Sequence, residues 1–276
     1  MKKVYLVNSR GEKELFSFHK VYRSSKRVGA SDVLAKKIAH EIEKRIYPGM
    51  KTKEIFKLVK SFLKESPASA IKFSLKQAMR RLGPSGFDFE KYIGEIFLKN
   101  GFKVKTNQRI KGRCISSYEI DFSAKNNEFT YLGECKYHTS SGARVDLKVA
   151  LYNYARFLDI LNSSRFKNSN TKAIIVTNTK FTTEAIKYCK CMNVDLLGWR
   201  YPKNQGLECL IEKNKLYPVT ILPSFKAHFK SVFARNKMML VLDLLNVPLN
   251  QLVRKLKLSS RELEKLVKEA EVLLQS

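Results

Sequence analysis

The sequence predicts a mixed α/β chain in three consecutive segments: a small α+β unit at residues 1–83, an α/β domain around a central sheet at 84–216, and a basic helical segment at 217–276. Three observations carry that expectation. Residues 31–83 hold apolar side chains at helical spacing between start and stop signals. Residues 118–138 alternate apolar and polar side chains around a polar turn, while 171–178 (TKAIIVTN) is a continuous apolar run of the kind buried on both faces of a sheet. Gly83-Pro84-Ser85-Gly86, and later Tyr217-Pro218 and Leu222-Pro223, punctuate the chain as a domain boundary and a linker.

In the first segment Val4–Val7 reads as a short strand and Ser9-Arg10-Gly11 as its turn. A helix is expected over Phe18–Val28. Ser31 is placed to cap a second, whose Leu34, Ile38, Ile42 and Ile46 share one face until Pro48-Gly49 ends it. Thr52 is placed to cap a third, with Ile55, Leu58, Val59, Phe62 and Leu63 inward. Ser66-Pro67, a cap residue followed by proline at the first helical position, starts a fourth through Ala70, Phe73 and Ala78.

The second segment opens on an amphipathic helix, Phe87–Phe102, with Phe89, Tyr92, Ile93, Ile96 and Phe97 at helical spacing and Asn100-Gly101 as its stop. Glu90 lies in its first turn, where a carboxylate suits the helix dipole. Val104–Ile110 is a strand candidate and Lys111-Gly112-Arg113 a basic turn. Tyr118–His138 then predicts two strands joined at Lys125–Glu128. In the first, Ile120 and Phe122 point one way and Glu119 and Asp121 the other; in the second, Glu134 and Lys136 share a face opposite Cys135. Residues two apart on a strand are separated by about 6.6 Å. One carboxylate can therefore hold a metal while the neighbouring ammonium reaches a water beside it. Two carboxylates and a lysine on adjacent strands are what metal-assisted phosphodiester hydrolysis requires.

A helix is expected over Gly142–Leu161, with Leu147, Leu151, Tyr154, Leu158 and Leu161 as its core stripe. Arg144, Lys148, Tyr152 and Arg156 form a row on another side, either a solvated face or one that contacts phosphate. Thr171–Asn178 is the buried strand, Phe181–Ala185 opens a helix, and Val194–Trp199 reads as a further strand. Beyond the prolines, Phe225–Leu245 and Val247–Leu258 read as helices, and Ser259 or Ser260 caps a last one with Leu263, Leu266, Val267, Ala270, Leu273 and Leu274 inward.

Two resemblances add to this reading. The order helix-with-Glu90, strand, strand-with-Asp121 and strand-with-Glu134-Cys135-Lys136, followed by the 171–199 strand–helix–strand, resembles the Mrr-type branch of the PD-(D/E)xK restriction-endonuclease-like superfamily. The resemblance implies in-line hydrolysis of DNA leaving a 5′-phosphate. By it Asp121, Glu134 and the Cys135 carbonyl would hold Mg²⁺, Lys136 would orient or deprotonate the attacking water, and Glu90 would support the site. Residues 1–83 resemble an ATP-cone, a regulatory nucleotide-binding domain, through the leading strand, Gly11, Phe16, Lys20-Val21 and the Thr52–Leu63 helix. That match implies ATP or dATP as an effector, with Lys20 and nearby Val7 as its contacts. The family's Lys-Arg-Asp run before the glycine is here Asn8-Ser9-Arg10, which removes a cation and a carboxylate. The last two helices weakly resemble a helix-hairpin-helix without its glycine; a docking or dimerising helical cap fits them equally.

Composition is consistent with a nuclease. The net charge of +28 predicts a polyanionic partner, of which DNA is the first candidate. The basic residues are spread along the chain instead of gathering on one amphipathic helix, which argues against a membrane surface. No apolar run has transmembrane length and the N-terminus lacks a secretory signal, so the cytoplasm is the expected compartment. Five scattered cysteines do not form a disulfide framework or a zinc pattern. A double-strand break needs two sites, which points to a homodimer. Two other readings stay open: a DNA-binding module with a vestigial site, and a structure-specific enzyme such as a junction resolvase.

Overall fold

The computed structural model describes residues 3–83, 87–140, 142–167 and 169–275, without the side chain of Phe87. Pro84, Ser85 and Gly86, read above as a boundary, lie outside the described residues. The chain forms two compact units: Met1–Ala78 with Thr220–Ala227 and Leu244–Ser276, and Met79–Val219 with His228–Asp243. These units do not follow the three consecutive segments, because the last two helices belong with the N-terminal ones.

The first unit starts with a hairpin, β1 (Tyr5–Val7) and β2 (Lys13–Leu15). Its turn is held by Asn8, whose carboxamide oxygen accepts from the N–H groups of Arg10 and Glu12. Helices α1 (Phe18–Arg27), α2 (Asp32–Arg45) and α3 (Thr52–Phe62) pack their apolar faces around Ile38, Ile42, Val59 and Leu63. Ser31 caps α2 as expected, its hydroxyl accepting from Leu34 N–H. Thr52 does not cap α3: Val7 bridges to Lys51, which is extended, and Glu54 reaches back to accept from Lys51 N–H at 3.2 Å. The expected fourth helix is two, α4 (Pro67–Lys72) and α5 (Leu75–Arg80), interrupted where Phe73 stacks on Phe56.

The second unit is organised on a five-stranded sheet. Its strands are β3 (Lys103–Ile110), β4 (Tyr118–Lys125), β5 (Thr130–Lys136), β7 (Thr171–Thr177) and β9 (Asp195–Leu197), in the order β3-β4-β5-β7-β9. β3, β4 and β5 pair antiparallel, and β5, β7 and β9 pair parallel. Helix α6 (Phe87–Lys99) buries Phe89, Tyr92, Ile93 and Ile96 as its pattern requires. Alternate residues of β5 meet different layers: Tyr131 packs on Phe97 of α6, and Leu132 clusters with Ile160 of α7 (Leu147–Leu161).

α7 begins five residues later than expected. Asp146 caps it, and Arg144–Val145 instead forms β6, paired with β8 (Lys180–Phe181). The expected core stripe is also displaced, since Ala150, Asn153 and Ile160 are buried while Leu151 and Leu158 are exposed. α8 (Thr183–Cys191), capped by Thr182, connects β8 to β9, and α9 (Leu207–Lys213) follows. The proline-marked stretch after it is packed, not solvated: Tyr217, Val219, Ile221 and Leu222 are all buried. The single helix expected over Phe225–Leu245 is α10 (Phe229–Arg235) and α11 (Val241–Leu245), separated around Lys237, whose φ is +55°.

The tail returns to the first unit. α12 (Leu249–Leu256) ends at Lys257, which takes the left-handed conformation a hairpin glycine would take. Ser259 caps α13 (Ser260–Leu274), which buries Leu263, Leu266, Ala270 and Leu273 and packs against α4. Among the described residues no helix is long and apolar enough to cross a membrane.

Candidate active site

The site begins where two strands part. The β4–β5 ladder ends at the pair Phe122 and Gly133, so Asp121 and Glu134 are the next residues on each strand. Gly133 has to be glycine: a Cβ there would stand 2.2 Å from Phe122 ring atoms. The ring lies over it toward Phe97 of α6, while Ile120 clusters with Leu132 and Ile160 of α7. Ile120 and Phe122 therefore do not point one way. The β3–β4 register passes from Thr106–Phe122 to Gln108–Ile120 without a rung at Asn107 and Asp121, and Asn107 has φ +51°. This break, absent from a regular alternation, re-aims the side chains around Asp121.

Past the last rung, the Asp121 carboxylate takes the place of a backbone acceptor and receives the Cys135 N–H at 2.6 Å. The Cys135 thiol is buried, and burial pushes it well above its ordinary range, so it is no nucleophile. Glu134 is 7% exposed. One of its oxygens accepts from Lys136 Nζ at 2.5 Å and the other from Arg156 Nη2. Thr177 donates to the Lys136 carbonyl, and Asn178 clamps the next turn by bonding both the N–H and the C=O of His138. Burial, then the Lys136 charge, lower the pKa of the His138 ring, and its Nε2 is buried without a hydrogen-bond partner among the described residues.

The three carboxylates sense one another. Burial, then the charges of Asp121 and Glu134, raise Glu90 to about 7, against the pull of Lys136. Burial and then Glu134 raise Asp121 to about 6, against the Cys135 N–H, Lys136 and Arg156. The structure thus brings Glu90 of α6, Asp121 of β4, and Glu134 and Lys136 of β5 into one electrostatic cluster. Glu119 adds a weaker repulsion to Glu90 from the edge, its carboxylate pairing with Arg109 in solvent.

Arg156 is the residue the sequence pattern missed. Placed above on an outer row of α7, it is instead 11% exposed. It donates to the Glu119 carbonyl at 3.0 Å and to Asn153 Oδ1 at 2.7 Å as well as to Glu134. The available signal was Asn153 and Arg156, two polar residues three apart and so on one helix face, within an apolar helix. Asp159, one turn on, accepts from the N–H groups of Cys114 and Ile115 and pins the turn that carries exposed Lys111 and Arg113.

The nucleotide contacts implied by the ATP-cone likeness do not converge. Lys20 lines a cavity of about 200 Å³ in the first unit with Ser17, Ser24 and Thr52. On β1 it is Leu6 that faces this cavity, because strand alternation turns Val7 the other way, and Val7 N–H bonds to the Met50 carbonyl.

Comparison with known proteins agrees with the geometry of the second unit. A family model described as "Restriction endonuclease" matches residues 82–198, and one described as "AF1548-like, C-terminal" matches 217–274. An uncharacterised protein of Archaeoglobus fulgidus is 42% identical over 130 residues, 47% of this chain and 71% of that one. The crystal structure of a protein of unknown function, AF1548, aligns with a TM-score of 0.60 at 33% identity, covering 70% of this chain and all of that one. On the restriction-endonuclease domain, the AF1548-like tail and these two relatives together, the chain belongs to the AF1548-like family of proteins with a restriction-endonuclease domain.

Proposed function

We propose that this chain is a Mg²⁺-dependent DNA endonuclease. The observation that carries the reading is the cluster of Glu90, Asp121, Glu134 and Lys136 at the parting of β4 and β5, inside the matched restriction-endonuclease region. The donor set fits a hard dication. Glu90 and Asp121 are raised first by burial and then by their neighbouring carboxylates, and a cation would relieve that second part. Among the described residues no three His, Cys, Asp or Glu side chains gather to hold a metal. Two carboxylates, a backbone oxygen and retained waters are a set that Mg²⁺ accepts. Asp121, Glu134 and the Cys135 carbonyl would hold it. When bound, the metal supplies charge stabilisation at the phosphoryl group and acidifies a water.

The chain's own groups do the rest. Lys136, restrained by Glu134, orients the attacking water and neutralises charge that develops on the phosphate oxygens. Glu90, half protonated near neutral pH, holds a water at the open side or accepts its proton. The water oxygen bonds to phosphorus, the P–O3′ bond breaks, and the leaving 3′-oxygen takes a proton from solvent, so the products are a 5′-phosphate and a 3′-hydroxyl. Basic surface holds the DNA backbone, and two copies would serve a double-strand break. In the first unit, the Lys20 cavity is where ATP or dATP would act as an effector.

The test is plasmid cleavage with Mg²⁺, with and without ATP, for the unaltered chain and for Asp121→Ala and Lys136→Ala. Metal-dependent cutting lost in both variants supports the assignment, and an ATP-dependent rate supports the effector. The pairing of Glu134 with both Arg156 and Lys136 favours one second reading, a DNA-binding module in which Arg156 stands permanently where a metal would. Calorimetry that detects no Mg²⁺ binding at millimolar concentration, with DNA binding intact, would select it.

A further inference from the structure

A groove in the unit built from the two ends of the chain lies outside the site described above. α3 and the turn after it form one wall, α13 forms the other, and the volume is about 850 Å³. Phe56, Ala70, Pro223 and Val272 give it apolar lining. Lys53, Lys57 and Lys60 line it along α3, and Lys64 continues the row on the 3-10 turn that follows. At the helical rise the first three stand about 6 and 4.5 Å apart along the axis, a row of roughly 10 Å that Lys64 extends. Lys268 adds a cation from α13. Glu269, the acidic residue of this lining, is already engaged, its carboxylate accepting from the N–H and the hydroxyl of Ser224 at 2.9 and 2.6 Å.

We infer that this groove binds a single strand of nucleic acid, with phosphates along the lysine row and base faces against the apolar lining. A regular row of cations on one wall matches a linear polyanion, and its length exceeds what the phosphates of one nucleotide can use. A duplex presents phosphates but hides its base faces, so it satisfies the lysines and leaves the apolar lining unused. A single strand offers both, which is how sequence-independent strand binders work. An acidic amphipathic helix also has charge and an apolar face. The +28 net charge of the chain and its restriction-endonuclease domain favour nucleic acid. The inference goes beyond the cleavage reading, since the groove belongs to the other compact unit and its occupancy needs no metal.

The experiment uses the full chain carrying Asp121→Asn, in EDTA, with a fluorescent twelve-residue oligo-dT followed by anisotropy. A duplex of the same length and an acidic amphipathic peptide serve as competitors. Two variants probe the groove: Lys57→Glu with Lys64→Glu on its wall, and the uncharged Val272→Asn in its lining. All three positions are exposed, and thermal melts check that each variant folds. The double reversal should weaken oligo-dT at least tenfold and reduce the slope of log affinity on log salt by about 1.4, for two lost phosphate contacts. Val272→Asn should weaken oligo-dT about threefold and leave duplex binding unchanged. Unchanged oligo-dT affinity in both variants overturns the inference. Equal loss of duplex and strand in Val272→Asn overturns it in favour of a general basic surface. Displacement of the strand by the peptide at lower concentration overturns it in favour of a protein partner. The cleavage reading fails separately: a chain that binds oligo-dT through the groove and never cuts plasmid sinks that reading and leaves this one standing.

Discussion

Replacing Arg156 with glutamine leaves Glu134, 7% exposed, with one cation in place of two. Removing one partner of a buried pair typically costs about 3–5 kcal/mol, because the remaining charge is stranded. Lys136 still compensates Glu134, so urea denaturation should show Arg156→Gln less stable by about 1.5–3 kcal/mol, the worth of a lost hydrogen bond to a charged group. Arg156→Lys should recover only part, since an ammonium cannot reach Glu134, Asn153 and the Glu119 carbonyl as one planar fork. Glu90 and Asp121 make a second prediction. Their folded pKa values, about 7 and about 6, stand above the ordinary carboxylate range near 4. The folded state therefore binds protons more tightly than the unfolded one, and that contribution to stability is lost as pH rises from about 4 through about 7. Metal-free protein should melt higher at pH 5 than at pH 8, and Glu90→Gln should flatten the difference; a profile that Glu90→Gln leaves unaltered would contradict the cluster. Glu134 and Lys136 were legible as neighbours because alternation along β5 puts them on one face, whereas Asp121 is re-aimed by the break beside it and Glu90 comes from a helix. Arg156 was not legible, because a cation on a helix reads as solvated until the carboxylate it serves is placed in space.

Among the elements, β5 depends on a position with no side chain. Gly133→Ala would set a methyl group 2.2 Å from Phe122 ring atoms, with the ring already packed on Phe97. Overpacking of this kind typically costs about 1–3 kcal/mol. The variant should melt lower, and Phe122→Leu in the same chain should return part of the loss. Strand identities were readable from the apolar run at 171–178 and from the alternation at 118–136, and the helices from capped periodic stretches. The ends and breaks were less so. α7 starts late because Arg144–Val145 finds a strand partner at Lys180–Phe181, far away in sequence. The gap between α4 and α5 falls at an aromatic stack, and that between α10 and α11 near a residue at positive φ. None of these is a local propensity. Even the stripe of α7 was misplaced, because leucines announce apolar surface without saying which of it is covered.

Across the whole molecule, the tail is part of the front. Removing residues 244–276 strips the buried Leu263, Leu266, Ala270 and Leu273 from the unit that holds residues 1–78. Limited proteolysis read by mass spectrometry should find new cuts within 1–78 in the truncated chain; equal protection there would mean that the front folds without the tail. The sequence could not reveal this assembly, since the stripe of α13 promises burial against something and the pattern names no partner. The arrangement also bears on how the chain is made. At about 5–20 residues per second, α13 leaves the ribosome roughly 10–40 s after residue 78. Through that interval the front of the chain waits with an apolar face uncovered. Residues 79–219 wait only for 228–243. Synthesis therefore finishes the restriction-endonuclease unit before the unit that precedes it, so the order of maturation is the reverse of the order of translation.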